Sequence, residues 1–272
     1  MQEQLPRLAA SSYLNSAPLI WSFLHGSRKG TVNLKDPVPS RCAELLAEGA
    51  VDAALIPVIE YQRIPGLCIV PDVCVGSTGK VRSVVLVSRL ENLKDVRSIA
   101  LDESSRTSAA LMKIIFLEFL GIEPAWVTLA PNVDLMLKDN DAALIIGDPA
   151  MTFARDDLRI VDMASLWREY TGLGFVFAVW AVRSNASSRV AAIDFAGARD
   201  EGLEQIEEIL SHYEREIPLT RNEIKEYLTN DITFHIDQPM KDGMKLYFDL
   251  AYKHQLIPEL KGLHLIKDEP CD

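Results

Sequence analysis

Two short stretches carry more hydrogen-bonding side chains than a plain hydrophobic core requires. Residues 11–16 read SSYLNS, and residues 104–108 read SSRTS. Each stretch follows an apolar segment and precedes a helical pattern, which predicts a polar loop at the start of a helix. The start of a helix carries unpaired N–H groups and a partial positive charge, which attract carboxylate or phosphate groups. The planar guanidinium of Arg106 also suits a carboxylate.

The simplest explanation for one such serine, Ser16 or Ser105, is that it caps its helix. Arg106 can equally pair with a neighbouring acid on the surface. The density of polar groups around Arg106 nevertheless exceeds what one cap requires. We therefore expect the two loops to form the halves of a clamp around a small ligand with two acidic groups.

The candidate ligand-contacting residues share a position at a helix start or at a strand end. They are Tyr13, Asn15, Ser16, Ser83, Ser104, Ser105, Arg106, Thr107, Ser108 and Asp148. Asp148 has two further interpretations, as the acceptor of a hydrogen bond between lobes or as a helix cap before Pro149. Glu60 is most simply a solvated carboxylate at a helix start, although it too follows a strand.

The elements that must position these residues form two similar halves. Residues 8–26 and 98–121 each read as strand, polar loop and helix, and residues 39–61 and 131–151 each read as helix and strand, with the string DAALI in both. Continuous apolar strands alternating with helices predict an α/β fold with mainly parallel sheets flanked by helices. In such sheets the carboxyl ends of the strands face the ligand crevice.

We expect two lobes with a ligand cleft between them. The first lobe is predicted to contain residues 1–88 and 179–272, and the second residues 89–178. After residue 183 the pattern is helical, with a capping box at Thr220 and Glu223 and a last long helix over residues 239–255. These C-terminal helices read as packing layers without obvious chemistry.

The whole chain argues against several classes of partner and location. A net charge of −11 over 272 residues opposes binding to nucleic acid. The start of the chain lacks the cationic and apolar segments of a secretory signal, which predicts a cytoplasmic protein. The apolar run at 175–182 is far below the roughly 20 residues that cross a bilayer, so we expect no membrane insertion.

No motif indicates a metal or an organic cofactor. The four cysteines lack paired spacing and accompany no histidine cluster, so we expect free thiols and no metal site. Nucleophile elbow, P-loop and dinucleotide-binding motifs are missing, and the five histidines fall outside the polar loops. We therefore expect a site that works without a cofactor.

Six strings in order resemble one enzyme family. They are YLNSAPL, DAALIPVIEY, GKVRSVVLVS, SSRTSAAL, ALIIGDPA and YTGLGFVFAVW, spread over residues 7–183. They resemble the chorismate dehydratases of the futalosine route to menaquinone. The resemblance implies the two-lobed fold of type 2 periplasmic binding proteins in a cytoplasmic hydro-lyase. One departure is Gly174, where the family pattern has proline, and this can loosen the second crossing between lobes.

The resemblance also implies a reaction and roles for single residues. Chorismate loses water to give 3-[(1-carboxyvinyl)oxy]benzoate, with Asn15 and Ser83 at the reacting region and residues 105–108 holding a carboxylate. The base stays open between the enolpyruvyl carboxylate of the substrate, Glu60 and Asp148. Two alternative functions also stay open. One is 1,4-dihydroxy-6-naphthoate synthase of the same pathway, in which we expect a histidine in the cleft loops, and the other is a non-catalytic protein that binds or senses small anions. The oligomeric state is not predicted.

Overall fold

The strands form two separate five-stranded sheets. A computed structural model describes residues 5–153 and 157–266, without the side chain of Ser187. The strands are β1 (Arg7–Ala9), β2 (Asn33–Lys35), β3 (Ala53–Pro57), β4 (Leu67–Ser77), β5 (Val84–Ser88), β6 (Ser98–Asp102), β7 (Ala125–Leu129), β8 (Ala142–Ile146), β9 (Arg159–Asp162) and β10 (Phe175–Arg183). The first sheet has the order β2-β1-β3-β10-β4, and the second has the order β7-β6-β8-β5-β9.

One strand in each sheet runs against the other four. In the first sheet β10 is antiparallel to both β3 and β4, and in the second sheet β5 is antiparallel to both β8 and β9. The remaining neighbours pair in parallel. Every residue of β3 and of β5 is buried, as expected for central strands that helices cover on both faces. The prediction of an α/β fold with mainly parallel sheets is confirmed.

Twelve α-helices surround the sheets in the described part of the chain. They are α1 (Ala17–Leu24), α2 (Pro39–Ala47), α3 (Val58–Arg63), α4 (Arg106–Ile114), α5 (Val133–Lys138), α6 (Gly147–Thr152), α7 (Met163–Thr171), α8 (Ser187–Val190), α9 (Phe195–Glu204), α10 (Ile206–Tyr213), α11 (Arg221–Glu226) and α12 (Gln238–Lys253). A 3-10 turn, Leu14–Ser16, precedes α1, and π-helical turns extend α4 and α11. The predicted capping box of Thr220 and Glu223 is present at α11.

Sheet membership differs from the lobe boundaries that we predicted. Strand β5 ends at residue 88 and pairs in the second sheet, whereas the predicted first lobe included it. Strand β10 pairs wholly in the first sheet, whereas the predicted boundary at 178 cuts it in two. The chain therefore crosses between sheets at residues 78–83 and again just before β10. A continuous apolar run predicts a buried strand, but it does not say which sheet receives the strand.

The first crossing is held by the carboxylate of Asp162, the last residue of β9. Its Oδ2 accepts hydrogen bonds from the backbone N–H groups of Val81 at 2.9 Å and of Arg82 at 2.7 Å. Arg82 has a left-handed backbone, with φ of 56°, a conformation that non-glycine residues adopt only where their surroundings impose it. These contacts fix the position of the next residue, Ser83.

The second crossing is packed closely against α12. A Cβ atom at Gly174 would lie 2.7 Å from the Met240 side chain, and one at Gly243 would lie 2.1 Å from the carbonyl oxygen of Gly174. The carbonyl oxygen of Gly174 also accepts a hydrogen bond from the indole of Trp167 at 3.3 Å. Glycine at position 174 therefore permits the approach of a helix here, in contrast to the looser crossing that we expected.

The cysteines differ in part from the expectation of free thiols. Cys42 and Cys74 are free and buried. Cys68 is disulfide-bonded, so the expectation is wrong at that position, because it rested on the cellular compartment and not on which thiols meet in the fold. Cys271 lies outside the described residues. Within the described ranges, no helix is both long and apolar enough to span a membrane.

Candidate active site

A cavity lies between the two sheets, at the carboxyl ends of β1, β3, β6 and β8. It contains about 620 Å³ of space between atoms, part of it open to solvent. Its polar wall consists of Ser11, Asn15, Ser16, Ser83, Ser104, Ser105, Arg106, Thr107 and Ser108. Its apolar wall includes Leu55, Val75, Val84, Ile146 and Phe177. Both predicted polar loops therefore face one cavity, as the position of strand ends in α/β sheets requires.

The start of α4 is available to an anion. Ser105 occupies the N-cap position, yet its side chain makes no capping hydrogen bond. The first helical bond joins the N–H of Ala109 to the carbonyl of Ser105 at 3.2 Å, which leaves the N–H groups of residues 106–108 without an acceptor in the helix. The explanation of Ser105 as a plain cap is therefore wrong. The uncapped N–H groups and the macrodipole favour negative charge at this end of the cavity.

The start of α1 offers fewer free donors than α4. Ser16 does not cap either, because its hydroxyl donates back to the carbonyl of Ser11 at 2.6 Å. The preceding 3-10 turn binds the N–H of Ser16 to Tyr13 and the N–H of Ala17 to Leu14, and Pro18 has no N–H. The two halves of the predicted clamp therefore differ in the number of N–H groups that they offer to a ligand. On this side the amide side chain of Asn15 and the hydroxyl of Ser11 lie in the cavity wall and can contact a ligand.

Ser83 presents an unpartnered hydroxyl at the cavity wall. The residue is 1% exposed, and its Oγ makes no hydrogen bond to any described residue. A buried hydroxyl without a partner is unfavourable by about 1–3 kcal/mol. Such a group at a cavity wall indicates a place where a ligand atom completes the hydrogen bonding.

Asp102 is a residue that the sequence analysis missed. This buried carboxylate ends β6, and its Oδ1 accepts hydrogen bonds from the N–H of Ser104 at 2.9 Å and from the Ser104 hydroxyl at 2.6 Å. Its Oδ2 accepts from the N–H of Ile146 at 3.3 Å, and burial raises its pKa. Asp102 thus fixes two parts of the cavity wall. Its place at a strand end directly before the SSRTS loop is the signal that could have found it.

Arg106 lies in the cavity wall but is already paired. Its guanidinium contacts Glu60 at 3.0 Å and Glu44 at 2.6 Å, so the alternative of pairing with a neighbouring acid is observed. Glu60 is buried and also accepts from Arg63 at 2.7 Å. The solvated carboxylate that we expected at position 60 is therefore wrong. The Thr107 hydroxyl is engaged as well, because it accepts from the N–H of Ile59 at 3.3 Å.

Tyr13 and Asp148 lie outside the cavity wall and join the two halves of the fold. Oδ1 of Asp148 accepts a hydrogen bond from the N–H of Leu14 at 3.2 Å, the interlobe bond among the predicted alternatives, and the side chain caps no helix. Burial raises the pKa of Asp148 to about 6. The Tyr13 ring packs on Gly147, where a Cβ atom would lie 3.0 Å from the ring and φ is +67°.

The donor types in the wall suit hydrogen bonding and not metal binding. No group of three or more histidine, cysteine or acidic side chains within the described ranges could hold a metal ion. None of the five histidines is among the residues of this cavity wall. The arrangement can bind an anionic ligand at the start of α4, enclose its apolar part and donate hydrogen bonds from Asn15 and Ser83.

Comparisons with known proteins agree with this arrangement. The chain is 29% identical to the chorismate dehydratase of Thermus thermophilus, over 93% of this chain and 98% of that protein. It is 29% identical to the chorismate dehydratase of Campylobacter jejuni over 151 residues, which are 55% of this chain and 53% of that protein.

Solved structures share the fold at low sequence identity. A protein from Archaeoglobus fulgidus superposes with a TM-score of 0.73 at 17% identity, over 94% of this chain and all of that one. The alkanesulfonate-binding protein of Xanthomonas axonopodis pv. citri, bound to MOPS, gives 0.69 at 15% identity, over 98% and 97% of the two chains. A Candida albicans protein described as having the generic periplasmic binding protein fold gives 0.59 at 16% identity, over 98% and 99%. The predicted periplasmic-binding-protein-like fold is confirmed.

The family to which the chain belongs is shown by a match of a family profile to most of the sequence. The profile of the family described as menaquinone biosynthesis matches residues 6–253. This range contains both sheets, the cavity and all of its polar wall. The chain therefore belongs to the menaquinone biosynthesis family.

Proposed function

We propose that this protein is a chorismate dehydratase, a hydro-lyase that converts chorismate to 3-[(1-carboxyvinyl)oxy]benzoate in the cytoplasm. The observation that carries the proposal is the unpartnered Ser83 hydroxyl, which faces the same cavity as Asn15 and the uncapped start of α4. Support comes also from membership of the menaquinone biosynthesis family and from the Thermus thermophilus dehydratase, which the chain matches over 98% of its length.

The cavity suits the charge pattern of chorismate. The substrate has a carboxylate on its ring and another on its enolpyruvyl side chain, separated by an apolar ring. One carboxylate binds at the start of α4, where residues 106–108 supply N–H groups and Ser105 and Ser108 supply hydroxyls. The ring lies against apolar residues such as Leu55 and Phe177. Arg106 reaches a carboxylate when it exchanges its contact with the half-exposed Glu44.

The reaction needs a proton acceptor and a donor to the leaving group. The proton leaves C3 of the ring and the hydroxyl leaves C4, so that one water departs and the ring becomes aromatic. Ser83 and Asn15 donate hydrogen bonds to the departing oxygen, and the cavity orients the substrate and excludes bulk water. The gain in aromaticity belongs to the substrate, so the protein has no need of a strong acid.

The base is best assigned to the enolpyruvyl carboxylate of the substrate. Glu60 is a poor candidate because both of its carboxylate oxygens are already engaged, one by the guanidinium of Arg63 and the other by that of Arg106. Asp148 lies outside the cavity wall and is bound to the N–H of Leu14. The enolpyruvyl group is attached to C3 itself through its ether oxygen, so its carboxylate needs no protein group to bring it near the C3 proton.

Conversion of chorismate by the purified protein tests this function. We expect the ultraviolet absorbance of chorismate to change with time, and mass spectrometry to find a product lighter by one water. The Ser83→Ala variant is the matched control for contaminating activity and should form product at least about 10²-fold more slowly. Tight binding of chorismate without turnover would instead favour the non-catalytic anion-binding protein.

The rival enzyme of the same pathway is tested in the same assay. 1,4-Dihydroxy-6-naphthoate synthase belongs to the same pathway, and we expect a histidine in its cleft. No histidine lies in the cavity wall that the described residues form. Unchanged chorismate, together with formation of 1,4-dihydroxy-6-naphthoate from the substrate of the synthase, would favour the synthase.

A further inference from the structure

A second unpartnered hydroxyl lies beside Ser83. It belongs to Tyr227, which is 0% exposed and begins the π-helical turn Tyr227–Asp231. Neither the Tyr227 hydroxyl nor the Ser83 hydroxyl makes a hydrogen bond of good geometry within the described part of the chain. The two groups face each other closely enough for the Ser83 hydroxyl to oppose the rise in the pKa of Tyr227 that burial causes.

The turn that carries Tyr227 is tied to the crossing that carries Ser83. The Arg82 guanidinium lies over the Tyr227 ring, 5.8 Å from its centroid, and also pairs with the buried carboxylate of Asp231. Lys80 contacts the same carboxylate at 3.3 Å. Tyr227 and Asp231, the first and last residues of this turn, therefore hold the side chains of Lys80 and Arg82 in the crossing segment. The C-terminal helices, which read as packing layers in the sequence, reach the cavity wall at this point.

We propose that Tyr227 is a positioning residue that acts through Ser83, an inference that rests on the proposed dehydratase function. A hydroxyl has one proton and two acceptor sites. When Ser83 donates its proton to the departing oxygen of the substrate, its own oxygen needs a donor, and the Tyr227 hydroxyl is the buried donor that faces it. The phenol directs the Ser83 proton towards the cavity and strengthens its donation, since linked hydrogen bonds polarise one another in a low-dielectric interior.

Burial favours this direction of donation. It raises the pKa of Tyr227 far above neutrality, so the phenol keeps its proton throughout the working range. Each hydroxyl alone is an unsatisfied buried group, and both become satisfied when a substrate oxygen accepts from Ser83.

Kinetics of Tyr227→Phe test the inference, because this change removes the hydroxyl and keeps the ring. We expect kcat for chorismate to fall about 3- to 10-fold, the effect of losing one hydrogen bond, while KM stays within about twofold. The melting temperature should not fall, because the lost hydroxyl has no partner in the folded protein. The control is Tyr61→Phe, which removes a buried hydroxyl that donates to Gly262 at 2.6 Å, away from the cavity. It should lower the melting temperature and leave kcat unchanged.

A double variant separates action through Ser83 from any other role. In a Ser83→Ala background, Tyr227→Phe should change kcat by less than about twofold, because the group it orients is gone. An unchanged kcat in Tyr227→Phe, or an equal loss in both backgrounds, would overturn the inference while the dehydratase function stands. If the wild-type protein does not convert chorismate, the proposed function fails and the inference fails with it.

Discussion

Replacing Asp148 with asparagine should stabilise the protein at alkaline pH and change its stability little at pH 4. The carboxylate is largely buried and accepts one hydrogen bond, from the N–H of Leu14 at 3.2 Å. Burial raises its pKa from 3.8 to about 6. An asparagine retains an oxygen for the Leu14 N–H but carries no charge, so the variant isolates the effect of ionising this one group.

The size and the sign of the expected difference in stability follow from the shift in the pKa of Asp148. Well below pH 3.8 the group is neutral in the folded and unfolded chains and contributes nothing to the difference. As the pH rises from 3.8 to about 6, the unfolded chain ionises first, so the free energy of unfolding of the wild type falls. A shift of about two units at 1.36 kcal/mol each gives a loss of up to about 3 kcal/mol, complete above pH 7. The variant does not lose this stability, because asparagine does not ionise.

Urea unfolding of both proteins between pH 4 and pH 8 measures the difference directly, because the titration of all other groups cancels. We expect a difference of less than about 1 kcal/mol at pH 4 and an advantage of the variant that grows to a few kcal/mol at pH 8. Asp95→Asn, at an exposed position, is the matched control for the chemical change from carboxylate to amide. A flat difference for Asp148→Asn, or a less stable variant at pH 8, would refute the reasoning.

The same variant addresses the identity of the base. Asp148 lies outside the cavity wall, so Asp148→Asn should reduce turnover of chorismate less than tenfold. A loss of several orders of magnitude, with folding and binding intact, would assign the base to Asp148 and not to the substrate carboxylate.

Four further variants test other parts of the site. Ser83→Ala should lower kcat by at least about 10²-fold without lowering the melting temperature, since the hydroxyl has no partner to lose; a lower melting temperature would show that it has one. Arg106→Gln should raise KM about tenfold or more. Glu44→Gln, which frees Arg106 from one of its ion pairs, should lower KM or leave it unchanged. Equal KM values in the two variants would exclude Arg106 from substrate binding. Gly147→Ala should lower the free energy of unfolding by about 1–2 kcal/mol in urea titrations, because φ is +67° and the new Cβ atom meets the Tyr13 ring; unchanged stability would contradict that contact.

The sequence predicted the polar loops well because their signals are local. An apolar strand, a polar cluster and a helical pattern specify a helix start at a strand end, and the α/β fold brings such ends together. Both loops consequently line one cavity. The sequence could not tell that α1 is preceded by a 3-10 turn, which occupies the N–H groups that a ligand would use.

The sequence alone could not predict contacts between residues that lie far apart along the chain. The pairing of Arg106 with Glu60 and Glu44 depends on how α2, α3 and α4 pack, and the spacing of these residues along the chain gives no sign of it. The sheet that receives β5 depends likewise on its partners β8 and β9. The approach of Tyr227 to Ser83 joins residues 144 positions apart by sequence number, in a segment whose amphipathic pattern indicated packing alone.

A crystal structure of the Ser83→Ala variant with chorismate tests the central claim most directly. We predict chorismate in the cavity between the sheets, with one carboxylate within hydrogen-bond distance of the N–H groups at the start of α4 and its C4 oxygen beside Asn15 and position 83. A substrate bound elsewhere, or bound with no carboxylate at the start of α4, would contradict the account.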